Sequence, residues 1–100
     1  MTVDRERVLS VLRAKRDDIE RRYGLRLVGL VGSVARGEAG ADSDIDVMVE
    51  ITGRPSLFSL SRAERDLREA VGLGMPVELV FGNDMRPSGR KLIERDLVPL

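Results

Sequence analysis

Asp44 and Asp46 flank Ile45 at the mouth of an apolar run, and Gly32-Ser33 closes an earlier one. Residues two apart on a strand point the same way. Both carboxylates therefore emerge on one face, where they repel each other unless something positive lies between them. A divalent metal is the usual answer. Gly32 permits a turn that a side chain would hinder, and Ser33 stands where a short helix can begin. Free N–H groups at such a turn can cradle a phosphate, with the Ser33 hydroxyl helping, although a glycine-serine pair is also common in ordinary turns. Glu78 is a third carboxylate of interest, set inside the short apolar segment VELVF. It reads either as an edge-strand glutamate facing water or as a third metal ligand beside Asp44 and Asp46. Asp42 can cap the approach to the pair or lie near it as an added charge.

The rest of the composition narrows this chemistry. The 100 residues contain no histidine and no cysteine. The commonest general base, thiolate chemistry and the usual zinc ligands are thereby absent. A metal here takes oxygen ligands, which points to magnesium, with manganese as an alternative. Seventeen basic residues balance seventeen acidic ones. The basic excess of a general nucleic-acid binder is missing, and with Tyr23, Phe58 and Phe81 as the only aromatic residues there is no base-stacking platform. Direct nucleic-acid binding is not expected; binding of a single nucleotide is compatible with these counts. No apolar run reaches membrane-spanning length and no signal-peptide pattern opens the chain, so a cytoplasmic protein with no membrane association is expected. The length suits one domain over residues 1–100. Its modest core leaves room for a partner surface, homo-oligomerisation included.

Seven elements position the candidate residues. Val8, Leu12, Ile19 and Tyr23 recur on a helical period across residues 3–22, in a segment that is otherwise charged and net basic. Gly24 marks its end. Leu25–Val31 is an almost wholly apolar strand, as expected of one covered on both faces. A short helix follows from Ser33 through Arg36 and ends at Gly37. Residues 37–43 are a loop by composition. Asp44–Glu50 is the second strand, with Ile45, Val47 and Val49 on its apolar face. Ser56–Val71 is a helix with Leu60, Ala63, Leu67 and Val71 on one stripe; Ser61 and Glu64 have capping-box spacing that allows a later start. Val77–Phe81 is the third strand. A loop containing Asn83, Asp84 and Pro87 leads to a last helix over Arg90–Leu97, with Leu92, Ile93 and Leu97 expected to pack inward.

The string GSVARGEAGADSDIDVMV, with Gly32-Ser33 and Asp44-Ile45-Asp46 separated by ten residues, resembles the signature of the DNA polymerase β-like nucleotidyltransferase superfamily. It is most similar to the stand-alone minimal nucleotidyltransferase (MNT) domains, and the likeness covers essentially the whole chain. The resemblance implies an α/β (α+β) fold of order αβαβαβα, with a small mixed sheet, flanking helices and a first strand running against the second. It implies that Gly32 and Ser33 hold the triphosphate of ATP. Asp44, Asp46 and the third-strand acid would hold two magnesium ions, the last also helping to activate the attacking hydroxyl. Family members commonly carry aspartate at that third position, where this chain has Glu78. Arg36, in the Ala-Arg-Gly segment, would pair with phosphate or with a nearby acid. MNT proteins often pair with an all-helical HEPN protein. The resemblance therefore implies an antitoxin that transfers AMP to a tyrosine of a HEPN ribonuclease toxin. Two further readings stand beside it: a weakly active or inactive module that occludes its partner, and a nucleotidyltransferase for a small aminoglycoside-type hydroxyl.

Overall fold

The structure is a computed structural model that describes residues 4–40, 42–82 and 86–100. Its first helix, α1 (Arg5–Tyr23), starts at Asp4, whose carboxylate accepts the N–H groups of Glu6 and Arg7. That cap satisfies donors the helix itself leaves unpaired. Val8, Leu9, Leu12, Ile19 and Tyr23 are its buried residues, the stripe expected from the sequence with Leu9 added. β1 (Leu25–Val31), α2 (Gly32–Arg36), β2 (Ile45–Ile51), α3 (Leu57–Val71), β3 (Val77–Phe81), α4 (Pro87–Glu94) and β4 (Val98–Pro99) follow. Ser56 caps α3 by accepting the Ser59 N–H at 3.1 Å, so the later start offered by Ser61 and Glu64 is not used.

The four strands form a mixed sheet in the order β3-β2-β1-β4. β1 runs antiparallel to β2 and β4, while β2 and β3 are parallel. A parallel pair needs a crossover, and α3 supplies it. α1 packs against β1 and α3, and α3 against β3, so both long helices cover one face of the sheet. That face carries Leu25, Leu27 and Leu30 of β1 opposite Ile51, Val49 and Val47 of β2. Ile45, Val77 and Leu79 join the same core.

β1 is covered on both faces along Gly29–Val31, as its apolar sequence suggests, but it carries an irregularity. Its register against β2 slips between Leu27 and Gly29, which leaves Val28 as an extra residue, a β-bulge. In plain alternation Leu27 and Leu30 would face opposite ways; the bulge puts both in the core. It also puts Arg26, Gly29 and Val31 on the other face, opposite Glu50, Met48 and Asp46.

Further differences concern the later elements and their bounds. β2 begins at Ile45, so Asp44 precedes the strand instead of opening it. α4 begins at Pro87 and ends at Glu94, earlier than the expected Arg90–Leu97, because proline is well suited to a helical first turn. Asn83 and Asp84 lie outside the described residues. α4 buries none of its residues: Leu92 is 61% exposed, and Ile93 and Leu97 are half-buried. The expected inward packing is thus met in part: Leu97 lies against Gly29 on this face of the sheet, while the main core is closed by α1 and α3 on the opposite face. β4 had no counterpart in the sequence reading. Two residues carry no periodicity, and the strand exists because Pro99 and Val98 pair with Gly29 and Leu30, with the Leu100 N–H donating to the Val28 carbonyl at 3.1 Å.

Polar contacts tie the elements together. The Tyr23 hydroxyl donates to Asp66, joining α1 to α3. Arg90 of α4 donates to Glu94 at 2.7 Å, to Glu50 of β2 at 3.3 Å and to the Gly82 carbonyl at 3.2 Å. No helix among the described residues is long and apolar enough to cross a membrane.

Candidate functional site

The site lies at the end of the sheet where β1 finishes and β2 and β3 begin. Val31 is the Cα partner of Asp46 across the antiparallel pair, and Asp46 is the partner of Glu78 across the parallel pair. Cross-strand partners share a face, so Val31, Asp46 and Glu78 form one row. The Ile45 N–H donates to the Pro76 carbonyl at 2.8 Å, which holds the entry to β2 against the entry to β3 and places Asp44 beside that row. Each of Asp44, Asp46 and Glu78 can bring one carboxylate oxygen within 4.8 Å of the others. β3 is an edge strand and Glu78 is exposed. The two readings of Glu78 thus describe one residue: it faces water and belongs to the acidic group.

Asp46 is the half-buried centre of the three. Burial raises its pKa above the ordinary carboxylate value, as do the charges of Glu78 and Asp44 and a hydrogen bond with Glu78, while Arg36 acts in the opposite sense. Two full charges at this spacing repel by about 3 kcal/mol at an effective dielectric of about 20. Water screens part of that at the exposed Asp44 and Glu78. The oxygen donors, their convergence and the electrostatic strain at Asp46 all fit a hard divalent cation. Three acids with no imidazole or thiolate do not fit a zinc site of the ordinary kind.

Gly32 makes the turn from β1 into α2 with φ +75°, and a Cβ on it would overlap Asp46 Oδ2 and lie 3.2 Å from the Asp46 carboxyl carbon. The glycine serves both the turn and the approach of the carboxylate. Ser33 follows, half-buried, in the first turn of α2. Arg36 closes that helix. Its guanidinium pairs with Glu38 at 3.0 Å and with Asp96 at 3.3 Å, so of its two expected partners it has taken acids. Asp42 is exposed.

A cleft of about 220 Å³ opens against Asp46, walled by Gly32 and Arg36 on one side and by Leu92, Ile93 and Asp96 on the other. A larger cleft, about 540 Å³, lies among Val11, Lys15, Asp18, Arg22, Asp66 and Glu69 of α1 and α3 and touches none of the three acids. Asp96, Leu92 and Ile93 are parts of the site that the sequence reading missed. Asp96 is sixty residues from Arg36 and no spacing rule links them. Spacing alone places the apolar pair in the core.

Comparison with known proteins agrees with this geometry. The family model for the nucleotidyltransferase domain matches residues 12–99. Protein adenylyltransferase MntA of Thermococcus cleftensis is 37% identical over 93 residues, spanning 93% of this chain and 92% of its own. A protein of Methanocaldococcus jannaschii named as a candidate protein adenylyltransferase is 32% identical, spanning 91% and 92%. Among solved structures, a candidate minimal nucleotidyltransferase superposes with TM-score 0.69 at 34% identity, covering 92% of this chain and 95% of that one. A toxin–antitoxin complex with AMP-PNP shares the fold at TM-score 0.55 and 23% identity, over 84% of this chain and 61% of that one. A mixed four-stranded sheet with acids converging beside a glycine turn, matched over nearly its whole length, makes this chain a member of the nucleotidyltransferase domain family and a transferase of the nucleotidyl-transfer type.

Proposed function

We propose that this chain transfers AMP from ATP to a hydroxyl group of a partner protein. The observation that carries the reading is the convergence of Asp44, Asp46 and Glu78 beside the Gly32-Ser33 turn. The relative from Thermococcus cleftensis, named a protein adenylyltransferase and matched over more than nine-tenths of both chains, supports protein as the acceptor class. Asp44, Asp46 and Glu78 hold the magnesium ions, with manganese as a substitute. Bound there, the metal would neutralise the nucleotide phosphates and favour displacement at the α-phosphorus. Gly32 and Ser33 present the α2 turn to the phosphates, and Arg36 offers its guanidinium to them. Glu78, the most accessible of the site's strand residues, orients the acceptor hydroxyl and passes its proton to solvent. The acceptor oxygen bonds to the α-phosphorus, the bond from that phosphorus to the bridging oxygen breaks, and pyrophosphate leaves.

The finer reading is an antitoxin whose acceptor is a tyrosine of a HEPN ribonuclease, working in the cytoplasm. It follows from the family resemblance; the toxin–antitoxin neighbour supports it at the level of the fold alone. The test is incubation with the product of the neighbouring gene, magnesium and ATP labelled at the α-phosphate. Covalent label on the partner that vanishes with Asp44→Ala plus Asp46→Ala is the expected result. Full inhibition of the partner by that double variant, with no label, would instead establish occlusion. That second reading is favoured by one observation: Glu78 is a methylene longer than aspartate, and magnesium demands tight octahedral geometry.

A further inference from the structure

The cleft beneath α4 has two unlike halves. Gly32, Arg36 and Asp46 form a polar side continuous with the acidic group, while Val31, Val80, Leu92 and Ile93 form an apolar side. The apolar side chains of α4 are not used by the core: the helix buries none of its residues, and Leu92 is 61% exposed. α4 is nevertheless fixed in place. Arg90 ties it to Glu50 and to the Gly82 carbonyl, and Asp96, just beyond it, pairs with Arg36. A helix anchored by charge, with its apolar residues turned into a cleft, forms a wall for a ligand. The volume of about 220 Å³ exceeds the about 150 Å³ with which an apolar cavity takes up benzene.

We propose that this cleft is a ring-binding subsite, and that its occupant is the base of the nucleotide whose phosphates lie against Asp46 and the Gly32 turn. The assignment rests on the proposed nucleotidyl transfer and adds the location of the base to it. The lining decides between the two rings such a reaction brings together. Gly32, Arg36 and Asp46 belong to the phosphate side of the site and line the cleft, whereas Glu78, the acid on the acceptor side, does not. Leu92 and Ile93 hold the ring by apolar contact, and the acceptor approaches past the open edge of β3.

The test compares the binding of magnesium-ATP, magnesium-tripolyphosphate and N-acetyltyrosinamide to the whole chain by titration calorimetry. Leu92→Ala plus Ile93→Ala weakens ATP by about tenfold and leaves tripolyphosphate within about twofold. Leu57→Ala plus Phe58→Ala removes more exposed apolar side chains at the start of α3 (82% and 79% exposed), away from the cleft, and changes neither. Melting curves of all variants verify folding. Equal losses for ATP and tripolyphosphate overturn the assignment, as does an ATP affinity indifferent to Leu92 and Ile93. N-acetyltyrosinamide binding that depends on this pair while ATP binding does not would give the cleft to the acceptor, which also overturns it. ATP binding that depends on the pair in a protein that transfers no AMP keeps this inference and removes the proposed activity. Labelled partner with pair-independent ATP binding does the reverse.

Discussion

Gly32 and Asp46 occupy each other's space: the Asp46 carboxylate lies where a side chain on Gly32 would begin, and Gly32 holds φ +75° to make the turn. Gly32→Ala therefore suffers twice. The backbone conformation costs about 1–2 kcal/mol, and the methyl displaces a carboxylate of the acidic group. Gly37→Ala separates the two effects, because Gly37 has φ +74° with nothing within 4 Å. Both variants should melt at lower temperature. Magnesium titration followed by the shift in Tm should show binding kept by Gly37→Ala and lost by Gly32→Ala.

The raised pKa of Asp46 makes its charge a cost to the metal-free fold. The folded protein holds this proton at a pH where the unfolded chain has released it, so stability from this group is present below the unfolded pKa of about 3.9. It is lost as pH rises through the higher folded value. Metal-free Asp46→Asn should melt a few degrees above the parent at pH 7, and the gap should close on acidification through that window. Magnesium should reverse the order at pH 7, because it binds the carboxylate form. Melting curves of both proteins with EDTA and with magnesium check each sign.

Glu78 is exposed, so its substitution should cost little stability, and removing its charge should favour the metal-free fold in the same sense as Asp46→Asn. Its place in the acidic group predicts a different result for transfer. Glu78→Gln should lower the rate by about 100-fold or more, while Glu78→Asp should retain at least a tenth of it, a threshold set at about tenfold. Single-turnover labelling of the partner measures both, and equal rates for all three proteins would remove Glu78 from the chemistry.

Arg36 is shared between Glu38 and Asp96. Asp96→Asn should free it from α4 at little cost in stability, under about 1 kcal/mol for so exposed a pair. If Arg36 serves the nucleotide phosphates, its release should lower the ATP KM several-fold with kcat nearly constant. Arg36→Ala should instead raise that KM. Steady-state kinetics over ATP concentration separates these outcomes from a general loss of folding.

Much of this architecture was legible because its signals are periodic or local. The helix from Val8 to Tyr23 and the strand at Val77–Phe81 each announce themselves by spacing, and the Gly32-Ser33 and Asp44-Ile45-Asp46 strings carry a family likeness. What escaped depends on contacts between distant residues. β4 exists through its pairing with Gly29 and Leu30. The apolar residues of α4 looked like core from spacing alone, yet which face of the sheet the helix covers is settled elsewhere. Asp96 near Arg36 is a product of the fold, and the bulge at Val28 shows only against its partner strand.

That bulge has a consequence for how the site is encoded. Val28 adds one count to β1, and the count decides which way every later residue of the strand points. Pairing Val28 regularly, with no residue removed, would set Leu30 in place of Val31 opposite Asp46, swing Val31 towards the helices and turn Gly32 away from the carboxylate. No acid, glycine or arginine of the site would be missing, yet the glycine turn and the carboxylates would no longer meet. Part of the site is thus written in an interval along the chain: with Val28 in place, β1 meets the acids correctly only when that one residue is left out of the pairing.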